Sequence, residues 1–127
     1  MAVKAETSLQ ERIQKLIVKR GGYVNKNHGD MISDPGIADL TACYRGRYLA
    51  IEVKVNDNIP TKQQGIHARR VLRAGGISIV AWSIEVIDQV LSEIDRQDKE
   101  LYAPTVMDQI RLKDYIRMNN IDNGARY

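Results

Sequence analysis

The stretch "GIADLTACYRGRYLAIEVKV", Gly36 to Val55, decides the fold. A turn on Arg45-Gly46, with glycine supplying the positive φ of a tight hairpin, pairs Tyr44 with Arg47, Ala42 with Leu49 and Leu40 with Ile51. Those residues, continued by Val53 and Val55, make one apolar face. The opposite face pairs Cys43 with Tyr48, Thr41 with Ala50, and Asp39 with Glu52. Lys54, two residues beyond Glu52, points to the same side. Directly opposed residues hold their Cβ atoms roughly 4.5–5.5 Å apart, where two carboxylates repel unless a cation lies between them. Oxygen ligands suit a hard ion such as Mg²⁺, which acidifies bound water and stabilises a phosphoryl oxygen. Lys54 adds a positive charge beside that place. The competing reading is a structural charge cluster on a solvent-facing sheet.

Outward from the hairpin, Leu9, Ile13, Leu16 and Ile17 recur at helical spacing, predicting a helix from about Ser8 to Arg20 that Gly21-Gly22 stops. "YVNKN" reads as a short strand and "HGDMISDPG" as a loop. Thr61 is placed to cap a helix running to about Ala74, ended by Gly75-Gly76. "ISIVAW" is a buried strand. Ser83 caps a helix carrying Ile84, Ile87, Leu91 and Ile94, and a last helix is expected near Val106 to Met118. The order α-β-β-β-α-β-α predicts an α/β fold with a mixed central sheet flanked by helices.

The 127 residues suffice for one domain with its own core, and no repeat or linker divides them. With 43% hydrophobic and 28% charged residues, the composition is that of an ordinary soluble protein. A single cysteine, Cys43, excludes an internal disulfide framework and a CxxC zinc pattern, and a reducing cytoplasm is the expected compartment. Cys43 lacks a nearby His and is assigned to packing. No apolar run is long enough for a signal peptide or membrane span. The net charge of +3 is compatible with nucleic acid, although its placement matters more than its size. Trp82 and the six tyrosines are scattered, without a visible stacking platform for single strands.

"ADL…AIEVK" resembles the signature of the PD-(D/E)xK nucleases. "QERIQKLIVKRGGYVNK" before it, with "PTKQQ" and "RAGGISIVAW" after it, extends the likeness to the virus-type replication-repair nuclease (VRR-NUC) branch. The first segment and "IEVKV" are also similar to archaeal Holliday-junction resolvases. The likeness spans about Thr7 to Ile94, leaving a C-terminal helical extension over about 95–127. It implies a restriction-endonuclease-like fold and a metal-dependent DNA endonuclease. Asp39 and Glu52 would hold Mg²⁺ or Mn²⁺, with the backbone carbonyl of Val53 as a further candidate ligand and Lys54 orienting the water. The family's Pro before the metal Asp is Ala38 here, and a Pro in "DPG" makes Asp34 a rival; the hairpin register favours Asp39.

On a helical wheel Gln64 falls with Ala68, Val71 and Leu72, so it is a candidate to reach the site, and the family carries a Gln three residues after a Ser/Thr, as in Thr61-Lys62-Gln63-Gln64. The alternative is a water-exposed Gln at the helix edge. Lys62, Arg69 and Arg73, with Arg70 nearby, form a basic face for phosphates or only for solvent. The resemblance also implies a DNA contact for Lys26 and a supporting Glu on the first helix. The long spacing match assigns that Glu to Glu11, with Glu6, which the wheel sets near the Leu9–Ile13 stripe, as the alternative. His67 reads as a surface residue. DNA is the expected partner, and a homodimer in a bacterial or phage-infected cell is implied. Two further readings stand: a Holliday-junction resolvase proper, and a non-catalytic DNA-binding module or interaction protein that kept the fold.

Overall fold

The computed structural model of the protein describes residues 2–28 and 36–97. The rival Asp34 and the expected helix near Val106 to Met118 lie outside the described residues. Within them the order is α1 (Ala2–Lys19), β1 (Tyr23–Lys26), β2 (Leu40–Tyr44), β3 (Arg47–Val53), α2 (Lys62–Arg73), β4 (Ile77–Ala81) and α3 (Ile84–Gln97). The first helix starts six residues before the expected Ser8, since "AVKAET" contains no breaker and extends the helix at little cost.

The sheet runs β1-β2-β3-β4, antiparallel except for the parallel β3–β4 pair, giving the mixed sheet that the element order predicts. The hairpin register is as read from the sequence: Leu40 faces Ile51, Ala42 faces Leu49 and Tyr44 faces Arg47. Both turn residues, Arg45 (φ 49°) and Gly46 (φ 79°), are left-handed, the geometry that matches strand twist in a two-residue hairpin. The parallel partner β4 enters beside β3 after the α2 crossover, as parallel pairing requires.

The alternation of the hairpin sorts its side chains into two layers. Leu40, Ala42, Tyr44, Leu49, Ile51 and Val53 are buried with Ile13 and Ile17 of α1 and Ile87, Leu91 and Ile94 of α3. The other face is not a solvated one at its centre. There α2 covers it, with Val71 packed against Ala50 and Ala38. Leu72, expected on the inward side of α2, is 58% exposed, because the helix turns Gln64, His67, Ala68 and Val71 toward the sheet. Cys43, assigned to packing, is exposed, since α2 does not cover its position on β2.

A polar knot fixes one end of this sandwich. Arg20 at the close of α1 meets Asp88 and Asp95 of α3, each at 2.8 Å, and the Tyr44 hydroxyl donates to Asp95 at 2.8 Å. The Tyr44 ring also lies against Gly22, where an added Cβ would approach its Cδ1 to 3.1 Å. The C-terminal end of α1 therefore sits at the hairpin turn. A helix of 18 residues is about 27 Å long, so its N-terminal half reaches the opposite end of the sheet, where Leu40 and Val53 lie.

Candidate active site

At that opposite end the ladder stops one pair short of the expected cross-strand couple. The last pair of β2 and β3 is Leu40 with Ile51, and Asp39 sits in a bend before the strand. Asp39 and Glu52 are therefore not ladder partners. Instead the Asp39 carboxylate turns across and accepts the Val53 backbone N–H at 2.8 Å. The physical reason is local: Val53 on β3 lies beyond the end of β2, and a side-chain oxygen takes its donor in place of a carbonyl.

The carboxylates still meet. Glu52 is only 7% exposed. Burial pushes its pKa up to about 8, and the charge of the neighbouring Asp39 adds to that. The Lys54 ammonium, 3.9 Å from Glu52 Oε1, pulls the other way, and the charge of Glu6 adds a further push. Glu52 Oε1 also accepts from the Gln64 side-chain amide at 2.7 Å. Its second oxygen, Oε2, is buried with no hydrogen-bond partner.

Gln64 reaches Glu52 because of how α2 begins. Thr61 Oγ1 accepts the Gln64 backbone N–H at 3.2 Å, and Gln64 Oε1 accepts the Thr61 N–H at 2.8 Å, a reciprocal capping box. The amide carbonyl is thus committed to the cap and the NH₂ group is aimed at Glu52. His67, one turn on and expected at the surface, is half-buried and lines the same small cavity of about 110 Å³ with Glu52, Gln64 and Ser78.

Two residues that the sequence does not single out hold Asp39 in place. Asn27 donates from its side chain to the Ala38 carbonyl at 2.8 Å and to Thr41 Oγ1 at 2.7 Å, while its backbone N–H meets the Asp39 carbonyl at 2.8 Å. Three bonds from one residue therefore bracket Asp39. Gly36 has φ +78°, and a Cβ there would come 2.3 Å from the Gln63 carbonyl carbon and oxygen. Only a glycine lets the segment leading to Asp39 press on the first turn of α2. The position of Asn27 just past a strand is the sole sequence hint of its role.

The structure does not bring Glu11 to this site. Glu11 is exposed, whereas Glu6 is half-buried and its charge is felt at Glu52. The helical wheel is the better guide here than the long spacing match. Gln10, one turn after Glu6 on the same side of α1, is buried with its Oε1 unpaired, another polar group at a position where an apolar stripe is expected. Lys26 is exposed at the end of β1 beside Leu40. Lys62, Arg69, Arg70 and Arg73 all lie along α2 and all four are exposed.

Whether a cation fits can be judged from the donor set. Among the described residues no three His, Cys, Asp or Glu side chains gather as a metal cluster. Two apposed carboxylates, one with a buried unpaired oxygen, match a hard ion that takes its remaining ligands from carbonyls and water. The residues fit such an ion.

No protein-family model matches the chain, and no curated protein matches it. Among solved structures it is similar to a VRR_NUC domain, with a TM-score of 0.58 and 25% identity over 68% of this chain and 94% of that one. It is also similar to Hjc, a Holliday junction resolvase of Archaeoglobus fulgidus, with a TM-score of 0.45 and 25% identity over 61% of this chain and 67% of the other. The mixed four-stranded sheet with its flanking helices is the restriction-endonuclease-like fold that the resemblance implies.

Proposed function

We propose that this chain is a divalent-metal-dependent DNA endonuclease that hydrolyses phosphodiester bonds. The observation that carries the reading is the buried Glu52 carboxylate, with Oε2 unpaired, set between Asp39 and Lys54. A structural ion pair has no use for a second carboxylate at this position and would leave no oxygen orphaned. The likeness to a VRR_NUC domain supports the same reading.

In this reading Asp39 and Glu52, with the Val53 carbonyl, hold Mg²⁺ or Mn²⁺. Such an ion supplies an acidified water and offsets charge on the phosphate. Gln64 fixes Glu52 by one oxygen and so leaves the other free for the ion. Lys54 orients the attacking water and stabilises negative charge as it grows on the phosphate. Glu6, felt at Glu52, takes the supporting role that sequence spacing gives to Glu11. The cations of α2 and Lys26 contact phosphates and contribute salt-dependent affinity without sequence preference. A homodimer would supply the second site needed to cut both strands, in DNA replication, repair or recombination.

The test is incubation with plasmid, linear duplex, single-stranded and four-way-junction DNA in Mg²⁺, Mn²⁺ or EDTA, beside Lys54→Ala and Glu52→Ala. Cutting that needs the metal and disappears in both variants is expected. Binding without cutting under every metal condition would reduce the chain to a DNA-binding module. Cutting confined to the junction would make it a resolvase.

A further inference from the structure

Two large apolar side chains stand in the open next to the acidic site. Ile59 is 74% exposed and Trp82 is 46% exposed. Exposed single apolar residues need no explanation, but the placement of this pair does. The parallel ladder sets Glu52 beside Val80 and Val53 beside Ala81, and the Lys54 N–H continues it by donating to the Ala81 carbonyl at 3.0 Å. Lys54 and Trp82 are the next residues past the ends of β3 and β4, so their backbones lie about one strand spacing, about 4.8 Å, apart. Ile59 follows in the loop between Lys54 and Thr61, the cap of α2.

The indole is also held. Its Nε1–H donates to the Asn58 carbonyl at 2.9 Å, which fastens Trp82 to the residue before Ile59. This fixes the ring and the loop as one rim without burying either apolar side chain. Trp82 thus follows the strand end beside the lysine assigned to the reacting phosphate, and Ile59 adjoins the loop residue that holds the indole.

We propose that Trp82 and Ile59 form a base-contacting rim, on which an unstacked nucleotide of the DNA substrate next to the scissile phosphate is seated. The inference rests on the endonuclease reading and adds a substrate class to it. A base in continuous duplex is already stacked on both sides and offers these side chains only its edge. An unpaired or splayed base at a junction, flap or gap offers its face to the indole, and stacking of that kind tolerates any sequence. Apolar wedges beside a phosphate-binding site favour unstacked steps for the same reason. The site is therefore expected to prefer DNA that is unpaired beside the cut over continuous duplex.

Trp82 is the only tryptophan of the chain, so its emission reports the contact directly. In EDTA, where cleavage is suppressed, oligonucleotides with an unpaired nucleotide should quench this emission and a fully paired duplex of equal length should not. Trp82→Ala and Ile59→Ala should each weaken binding of the unpaired substrate, by about tenfold for the indole, with less than about a twofold change on duplex. Trp82→Phe, which keeps a ring but loses the Asn58 bond, should fall between. Equal quenching by both DNAs, or none, overturns the rim, as does an Ile59→Ala variant that binds both DNAs like the wild type. Because Ile59 is so exposed, that variant tests the rim without endangering the fold. Quenching without cleavage in any metal would retain the rim and overturn the endonuclease; cleavage without selective quenching would do the reverse.

Discussion

Gln64 donates its side-chain amide to Glu52 Oε1 at 2.7 Å while the carbonyl of the same group caps Thr61. One residue thus closes the first turn of α2 and fixes the buried carboxylate. The two tasks separate by mutation. Gln64→Glu keeps an acceptor for the Thr61 N–H but sets a second carboxylate against Glu52, so cleavage should fall at least about tenfold while the cap survives. Gln64→Ala loses both, with a cap cost of about 1 kcal/mol. Thermal unfolding and turnover, measured together, check this; equal melting losses in the two variants would refute the division.

The raised pKa of Glu52 makes the metal-free protein sensitive to pH in a definite window. Above the ordinary value of 4.5 the unfolded chain releases this proton, while the folded protein retains it until about pH 8. The unfolded state then binds fewer protons, so stability falls as pH rises from about 4.5 to about 8 and levels beyond. Asp95 acts in a different range: the hydrogen bond from Tyr44, aided by Arg20, holds its carboxyl below its ordinary value, so its stabilisation is lost as pH falls through the acid range. Denaturant titrations in EDTA should show the neutral-range slope in the wild type and not in Glu52→Gln. Mg²⁺ should stabilise more strongly as pH rises, because the ion displaces the Glu52 proton. Parallel pH slopes for the two proteins would contradict the assignment.

Asn27 brackets Asp39 with three hydrogen bonds, two from its side chain and one from its backbone. Asn27→Ala removes the two side-chain bonds, a loss of about 1–3 kcal/mol with the Ala38 carbonyl and Thr41 hydroxyl left to find other partners. Its effect on cleavage should fall on kcat, by about ten- to a hundredfold, with DNA affinity in EDTA unchanged. A raised Mg²⁺ requirement should accompany it, as Asp39 loses its fixed position. A uniform loss of DNA binding would instead show Asn27 to be a substrate contact.

The sheet is legible in the sequence because strand alternation is a strict period of two, and one apolar face pins its register. Leu40–Ile51 and Tyr44–Arg47 follow from that constraint alone. The Asp39–Glu52 pairing does not follow, because alternation says nothing about where a ladder ends. Glu52, Lys54 and Gln64 can be picked out by spacing; whether the second face is wet or covered cannot, since it depends on α2, a partner distant in sequence. Glu6 and Glu11 show the same limit. A helical wheel knows which side is apolar, and matched spacing does not know which side faces the site. Asn27 and Trp82 acquire their places through hydrogen bonds across the fold, to Ala38 and Thr41 and to Asn58, which leave no mark on composition.

Gly36 carries the last expectation. Its φ of +78° already disfavours any side chain, and a Cβ there would stand 2.3 Å from the Gln63 carbonyl group, which is backbone and has no rotamer to yield. Gly36→Ala must therefore move either α2 or the segment before Asp39. The first would pull Gln64 from Glu52, and the second would pull Asp39 from the Val53 N–H; both open the site. Cleavage should drop at least about a hundredfold, with a stability loss of about 1–3 kcal/mol. Gly65→Ala is the matched control, since a Cβ there meets nothing within 4 Å and α2 gains helix propensity. If Gly36→Ala and Gly65→Ala cleave alike, the close approach of Gly36 to α2 has no part in shaping the site.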